Sequence, residues 1–183
     1  MTSELRGQDP HERLNNLLSV VVAIAATFLG ICNVKDGNIV QAITLGQTEL
    51  VDTWSYFQAK SIKQALAEST AAQFQLSHEP EAAAKVKEWQ DRAARYDKEK
   101  ADLQAKAEAI TAQQKFLNAR DDQFDLAEAF LSVSIALFGI TALVRKKKLL
   151  VVGAIFATIG VVFAMAAFAG LSIHPDWLTS LLS

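Results

Sequence analysis

Hydrophobic and polar positions along this 183-residue chain separate into blocks rather than alternating. Three blocks are long, apolar and almost free of charge, and they cover residues 14–34, 125–144 and 149–173. A helix needs about 20 apolar residues to cross a bilayer, since only a helix or a closed barrel satisfies its own backbone there. The pattern therefore predicts an all-α membrane protein with three transmembrane helices.

The chain before the first block carries a helix-start signal. Asp9, Pro10 and Glu12 lie there, and proline is favoured at the first helical position, with acidic side chains nearby. We therefore expect residues 1–13 to be a lead-in to the first span. The acidic lead-in and the length of the apolar block argue against a cleavable signal peptide.

The second and third blocks are separated by four adjacent cations: Arg145, Lys146, Lys147 and Lys148. Because cations are costly in hydrocarbon, this link should be a turn at a membrane surface, although it lacks a Gly or Pro breaker. Short loops rich in Lys and Arg stay in the cytoplasm. We therefore expect a cytoplasmic N-terminus, with the middle segment and the tail, residues 174–183, on the opposite, periplasmic side.

Residues 35–124 form a polar middle segment with 12 Lys or Arg and 14 Asp or Glu. This balance gives no sustained positive field, so we expect no nucleic-acid partner. The composition favours helix, and residues 77–80 (SHEP) supply the one convincing turn. We therefore expect two helical arms, residues 38–76 and 81–124, that fold back as an antiparallel coiled-coil hairpin.

The second arm has large apolar residues at intervals of seven, which is typical of a coiled-coil seam. With Val86 added three positions before the first, the seam residues are Val86, Trp89, Tyr96, Leu103, Ile110, Leu117 and Phe124. The complementary positions, such as Ala93 and Ala107, are small or polar. No breaker follows Phe124, so this arm and the second span should be one helix.

The first arm has a less regular pattern. Leu50, Trp54 and Phe57 follow one heptad phase, and a second phase, displaced by one residue, contains Ile62, Leu66, Gln73 and Leu76. The pattern predicts that the seam shifts between Phe57 and Ile62. Gly46 and the pair at residues 36 and 37 weaken the helix, so the chain has room to bend there.

Aromatic, amide and basic residues concentrate at this predicted shift, in the run WSYFQAKSIKQ of residues 54–64. Tyr and Trp are favoured at the centres of interfaces, so the run is a candidate interaction surface. Its members are Trp54, Tyr56, Phe57, Gln58, Lys60 and Lys63. The alternative is structural, with the aromatic residues filling the space at the shift or anchoring near lipid headgroups.

The same run, shortly after a first span and before two closing spans, resembles a family catalogued as domain of unknown function 4337. The resemblance covers nearly the whole chain. It implies a bacterial inner-membrane protein and brings no activity with it.

Small residues at helical spacing lie in two of the spans, where they let helix backbones approach closely. They are Ala26, Gly30, Gly153, Ala157, Gly160 and Ala164. This pattern suits packing within one chain or between protomers. The spans carry no ionisable residue at mid-depth, which weakens a pump or transporter interpretation.

The sequence offers little for catalysis or for cofactors. Cys32 is the single cysteine, and His11, His78 and His174 are isolated from one another. We find no phosphate-binding glycine loop and no nucleophile elbow, so we expect no enzyme, metal or cofactor. The favoured function is a structural membrane protein, in contact with lipid, that forms homo-oligomers through its hairpin and its small-residue spans. The alternatives are a pore or transporter component and an accessory subunit of another membrane complex.

Overall fold

The structure is a computed structural model, and it describes residues 10–78 and 80–171. This part of the chain is all-helical, with α1 (Pro10–Gln75), α2 (Ala82–Val144) and α3 (Lys147–Ala169). All three helices are long and apolar enough to cross a membrane. The described residues form two compact units, residues 10–41 with 117–171, and Ala42–Phe116. We call the first the membrane unit and the second the arm unit.

The continuity of α2 follows the sequence prediction. α2 continues without a break through Phe124, and the described part of α1 starts at Pro10. α1 also continues through Gly37 and Gly46, where weakening was expected. A glycine inside a helix costs only about 1 kcal/mol relative to alanine, which packing against neighbours easily offsets.

The basic link between α2 and α3 is shorter than the expected turn at residues 145–148. Only Arg145 and Lys146 lie outside the helices, and Arg145 adopts a positive φ of 58°. Its backbone N–H still donates to the Thr141 carbonyl at 2.8 Å. A left-handed arginine therefore reverses the chain without glycine, and Lys147 and Lys148 become the start of α3.

α3 ends at a glycine cap, as helices commonly do. Gly170 has a φ of 69°, and its N–H contacts the carbonyls of Ala166 and Ala167. The N–H of Leu171 donates to the Ala166 carbonyl at 3.0 Å, which completes the cap. The third span therefore ends as a helix at Ala169, and the expected tail, residues 174–183, lies outside the described residues.

In the membrane unit, α3 packs its small residues against α2. A Cβ on Gly153 would meet the Phe138 ring at 2.9 Å, and a Cβ on Gly160 would meet Leu131 Cγ at 2.8 Å. The hydroxyl of Ser134 also donates to the Gly153 carbonyl at 2.9 Å. Ala164 is buried and Ala157 half-buried, whereas Ala26 is exposed and Gly30 faces open space.

In the arm unit, side chains of α1 contact α2 in antiparallel order. Gln114 donates to the Ile43 carbonyl at 3.1 Å, Lys106 lies 2.7 Å from Glu49, and Lys100 donates to Gln64 at 3.0 Å. Residue numbers on α2 therefore decrease as residue numbers on α1 increase along the contact.

Four of the seven buried residues described in the arm unit are alanines, and the other three are Ile43, Thr53 and Gln114. Ala67, Ala71, Ala93 and Ala107 are all less than 9% exposed, whereas the predicted seam residues of α2 from Val86 to Ile110 are half-buried. Leu117 is half-buried and Phe124 fully buried in the membrane unit. The bulky seam residues thus border a contact whose centre is small, which lets the helices approach closely.

The predicted shift of the seam in the first arm is wrong. Ile62 is 70% exposed, Leu66 61% and Leu76 82%. The buried side of α1 instead continues in one heptad phase through Phe57, Gln64 and Ala67. The prediction followed the largest apolar side chains, whereas the contact uses alanines and polar side chains that reach across to α2.

Candidate functional site

The run of residues 54–64 does not form a single surface, because it covers three turns of α1. Phe57 and Lys60 are half-buried on the side that contacts α2. Trp54 is 41% exposed and Tyr56 64% exposed, and Gln58 and Lys63 are also exposed. The predicted interaction residues therefore divide into a set used within the chain and a set facing outward.

The inward set makes a cluster of rings and cations. Lys60 forms an ion pair with Glu99 and lies 5.4 Å from the centre of the Tyr96 ring. Lys100 lies 5.4 Å from the centre of the Phe57 ring. The hydrogen bond and the charge of Lys60 keep the pKa of Glu99 below its ordinary value. Lys60 and Phe57 thus make contacts within the arm unit.

The membrane unit contains a polar layer that the sequence did not reveal. Asp36 on α1 and Asp121 on α2 lie close enough for one protonated carboxyl group to donate to the other. The Oδ1 atom of each is buried and has no hydrogen-bond partner among the described residues. Two ionised carboxylates would repel each other here. The pair is more stable when it holds one proton, because the protonated carboxyl group can donate to the ionised one.

Burial and neighbouring acids explain where this proton is held. Burial, followed by the charges of Asp36 and then Asp125, raises the pKa of Asp121 from 3.8 to about 7. Burial is also the main cause of a raised pKa at Asp36, which lies near Asp125 and Glu128. The pair can therefore gain or lose a proton near neutral pH.

Two other side chains of α2 bind the carboxyl end of α3. Arg120 donates to the Ala167 carbonyl at 3.1 Å, and Gln123 donates to the Leu171 carbonyl at 2.9 Å. The last carbonyls of a helix have no partner within the helix and carry its negative dipole end, so donors stabilise them. These contacts fix the end of α3 against α2.

The arrangement supports proton exchange at a carboxyl pair and contact between helices. Among residues 10–78 and 80–171, no group of His, Cys, Asp and Glu is placed to hold a metal ion. Cys32 is fully buried in the membrane unit, and His78 is exposed in the turn of the arm unit. His11 has no described side chain and His174 lies outside the described residues.

A family model described as a domain of unknown function, DUF4337, matches residues 14–170. The chain belongs to this family. The match includes all three candidate spans and the arm unit, so the described architecture is that of a DUF4337 protein. No curated protein and no solved structure matches the chain significantly.

In this DUF4337 protein, the position of the turn is enough to predict that Asp36 and Asp121 face each other. In two antiparallel helices joined at residues 77–80, positions equally far from the turn lie opposite each other. Asp36 and Asp121 are such positions, as are Ile43 and Gln114, which are joined by a hydrogen bond. No local pattern in the sequence links the two aspartates, because they lie on different helices.

Proposed function

We propose that the protein is a non-enzymatic structural protein of the bacterial inner membrane that assembles with copies of itself through its extramembrane arms. The observation that carries this proposal is the distribution of apolar side chains in the arm unit. Alanines make up four of the seven buried residues described in this unit, while Val51, Ile62 and Leu66 are each more than 60% exposed.

The physical argument concerns how much apolar area two helices can bury. Burial contributes roughly 25 cal/mol per Å² of apolar surface, so an alanine contributes far less than a leucine. An antiparallel coiled-coil hairpin with alanines at its centre is therefore weakly stabilised by its own contact. Its exposed apolar side chains favour neighbours that cover them.

The proposed orientation places the N-terminus and the link at Arg145 and Lys146 in the cytoplasm and the arms in the periplasm. Labelling with a membrane-impermeant maleimide tests it in a Cys32→Ala background. His78→Cys should be labelled in intact spheroplasts, and Lys146→Cys only after lysis. The reverse result would invert the topology.

Within the membrane, the exposed small residues on α1 support contact between protomers. Gly30 faces open space and Ala26 is exposed, so a second helix can approach this side closely. Side chains of α2 already cover the helix surface at Gly153 and Gly160 within the same chain. Lipid covers the remaining apolar surface of the spans.

The mass of the protein extracted in mild detergent, with bound detergent subtracted, tests self-assembly. We expect a defined homomultimer over a range of expression levels. A monomer would overturn the proposal, and stoichiometric foreign chains would favour an accessory subunit instead. Conductance in liposomes would favour a pore component.

A further inference from the structure

The face of α1 that points away from α2 in the arm unit carries two uncharged rows of residues. One row, spaced by seven, contains Thr48, Ser55, Ile62 and Ser69. The other contains Thr44, Val51, Gln58, Ala65 and Ala72. All nine are exposed, and their steps of three and four residues along the helix are those of a coiled-coil seam. We call the two rows together the outer stripe.

The absence of charge distinguishes the outer stripe from the surface of α2. Residues 44–75 contain five charged side chains, Glu49, Asp52, Lys60, Lys63 and Glu68, and all lie off the stripe. On α2, residues 82–116 contain 14 charged side chains, and every heptad position except that of Trp89 and Tyr96 carries at least one. A solvated helix face normally resembles α2.

We propose that the outer stripe is where two copies of this chain pair, with α1 against α1, parallel and in register. This inference rests on the proposed self-assembly and names its surface. All copies enter the membrane in the same direction, so their α1 helices are parallel around a two-fold axis along the membrane normal. Each stripe residue then meets its own counterpart, as in an isologous interface.

The residues that flank the stripe are compatible with this pairing. In a parallel two-stranded coil, each residue beside one row faces the partner's residue five positions further along. The resulting pairs are Gln47 with Asp52, Trp54 with Ala59, Ser61 with Leu66, and Glu68 with Gln73. None joins like charges, and the exposed Trp54 gains an alanine to pack on.

The size of the stripe suits chains held in one membrane. Residues 44–72 span about 43 Å at 1.5 Å per residue, on a helix about 10 Å wide. Pairing would cover about 900 Å² in total, close to the roughly 1,000 Å² that a specific interface needs. Anchoring in the bilayer raises the effective concentration of the arms, so an interface of this size is sufficient.

Cysteine crosslinking in native membranes tests the pairing with a matched control. In a full-length Cys32→Ala background, Ile62→Cys places a thiol on the stripe, and Tyr56→Cys places one off it. The two positions are similarly exposed, at 70% and 64%, on the same helix. Oxidation should give at least about tenfold more disulfide dimer at 62 than at 56, because the bond needs closely approaching Cβ atoms.

Charge substitution supplies the second measurement. Ile62→Lys should shift the mass in detergent toward monomer, since it places like charges opposite each other, whereas Tyr56→Lys should not. A wild-type multimer that persists in Ile62→Lys, with no dimer from Ile62→Cys, would overturn the stripe and leave self-assembly standing. A wild-type monomer would overturn both. Crosslinking of Ile62→Cys to a foreign chain would show that another protein, and not a second copy of this chain, binds the outer stripe.

Discussion

The membrane unit and the arm unit use small residues in different ways. In the membrane unit, Gly153 and Gly160 receive large side chains of α2, and aromatic rings such as Phe124 and Phe168 meet edge to face at 5.1 Å. In the arm unit, alanines are buried between α1 and α2, and ion pairs such as Lys106 with Glu49 border the contact.

The difference follows from the surroundings of each unit. Lipid gives helices no hydrophobic reason to associate, so close interdigitation has to supply the contact energy. Water does favour burial, but alanines offer little area to bury. The membrane unit should therefore be sensitive to added volume, and the arm unit should depend on the neighbours that cover α1.

The largest effect should come from filling the glycine contact of α3. Gly160→Leu would place a side chain where even a Cβ meets Leu131 at 2.8 Å and the Ala127 carbonyl oxygen at 3.0 Å. We expect a loss of about 2–3 kcal/mol in the free energy of unfolding, because backbone atoms cannot move aside. Thermal unfolding in detergent measures it.

Gly139→Leu is the matched control, since nothing lies within 4 Å of a Cβ at that position. It should unfold at nearly the wild-type temperature. Equal losses from both substitutions would show that added volume alone, and not the α2–α3 contact, explains the effect.

The next effect concerns the carboxyl pair, which should respond to pH in the opposite direction from the ion pairs of the arm. Folding raises the pKa of Asp121 from 3.8 to about 7, so the proton that Asp121 holds stabilises the folded state. This stabilisation is fully present below about pH 4 and is lost as the pH rises through 7. Asp121→Asn should therefore stabilise the protein by about 1–2 kcal/mol at pH 8, allowing for solvent screening.

Denaturation at several pH values measures this slope. The variant should flatten the decline between about pH 4 and 7, whereas Asp97→Asn, an exposed control, should leave it in place. An Asp121→Asn variant with the wild-type slope would contradict the shared proton. The charges of Asp125 and Glu128 raise the pKa of Asp36, and those of Asp125 and Asp122 raise the pKa of Asp121 further.

A smaller effect should come from the glycine of the arm unit. A Cβ on Gly46 would overlap the amide of Gln114, whose buried Nε2 donates to the Ile43 carbonyl at 3.1 Å. Gly46→Ala should lower the free energy of unfolding by about 1 kcal/mol, because the added Cβ displaces the Gln114 amide from its hydrogen bond. In a Gln114→Ala background the same substitution should instead stabilise by up to about 1 kcal/mol through helix propensity. Chemical denaturation of the four variants measures the change of sign.

The sequence alone predicted three helices apolar enough to cross a membrane and the continuity of α2 through Phe124, because long apolar blocks act locally. It missed the position of the contact on α1. The prediction assigned Ile62 and Leu66 to the seam because they are large, whereas Ala67 and Ala71 are buried. Which face of a helix is covered depends on the partner helix, which no local pattern records. The Asp36–Asp121 pair needed the register of two helices joined over a long separation.

The smallest effect should come from the exposed ion pair at the border of the arm contact. Lys106 and Glu49 lie 2.7 Å apart, but their side chains are 53% and 54% exposed, so water and salt screen them. A double-mutant cycle with Glu49→Gln and Lys106→Gln should give a coupling energy below about 0.5 kcal/mol, falling further at high salt. Chemical denaturation in low and high salt measures it. A coupling above about 1 kcal/mol that survives high salt would mean that such border contacts hold the arms together. The arm unit would then be stable without a second copy on α1, and the weakness of its own contact would no longer support self-assembly.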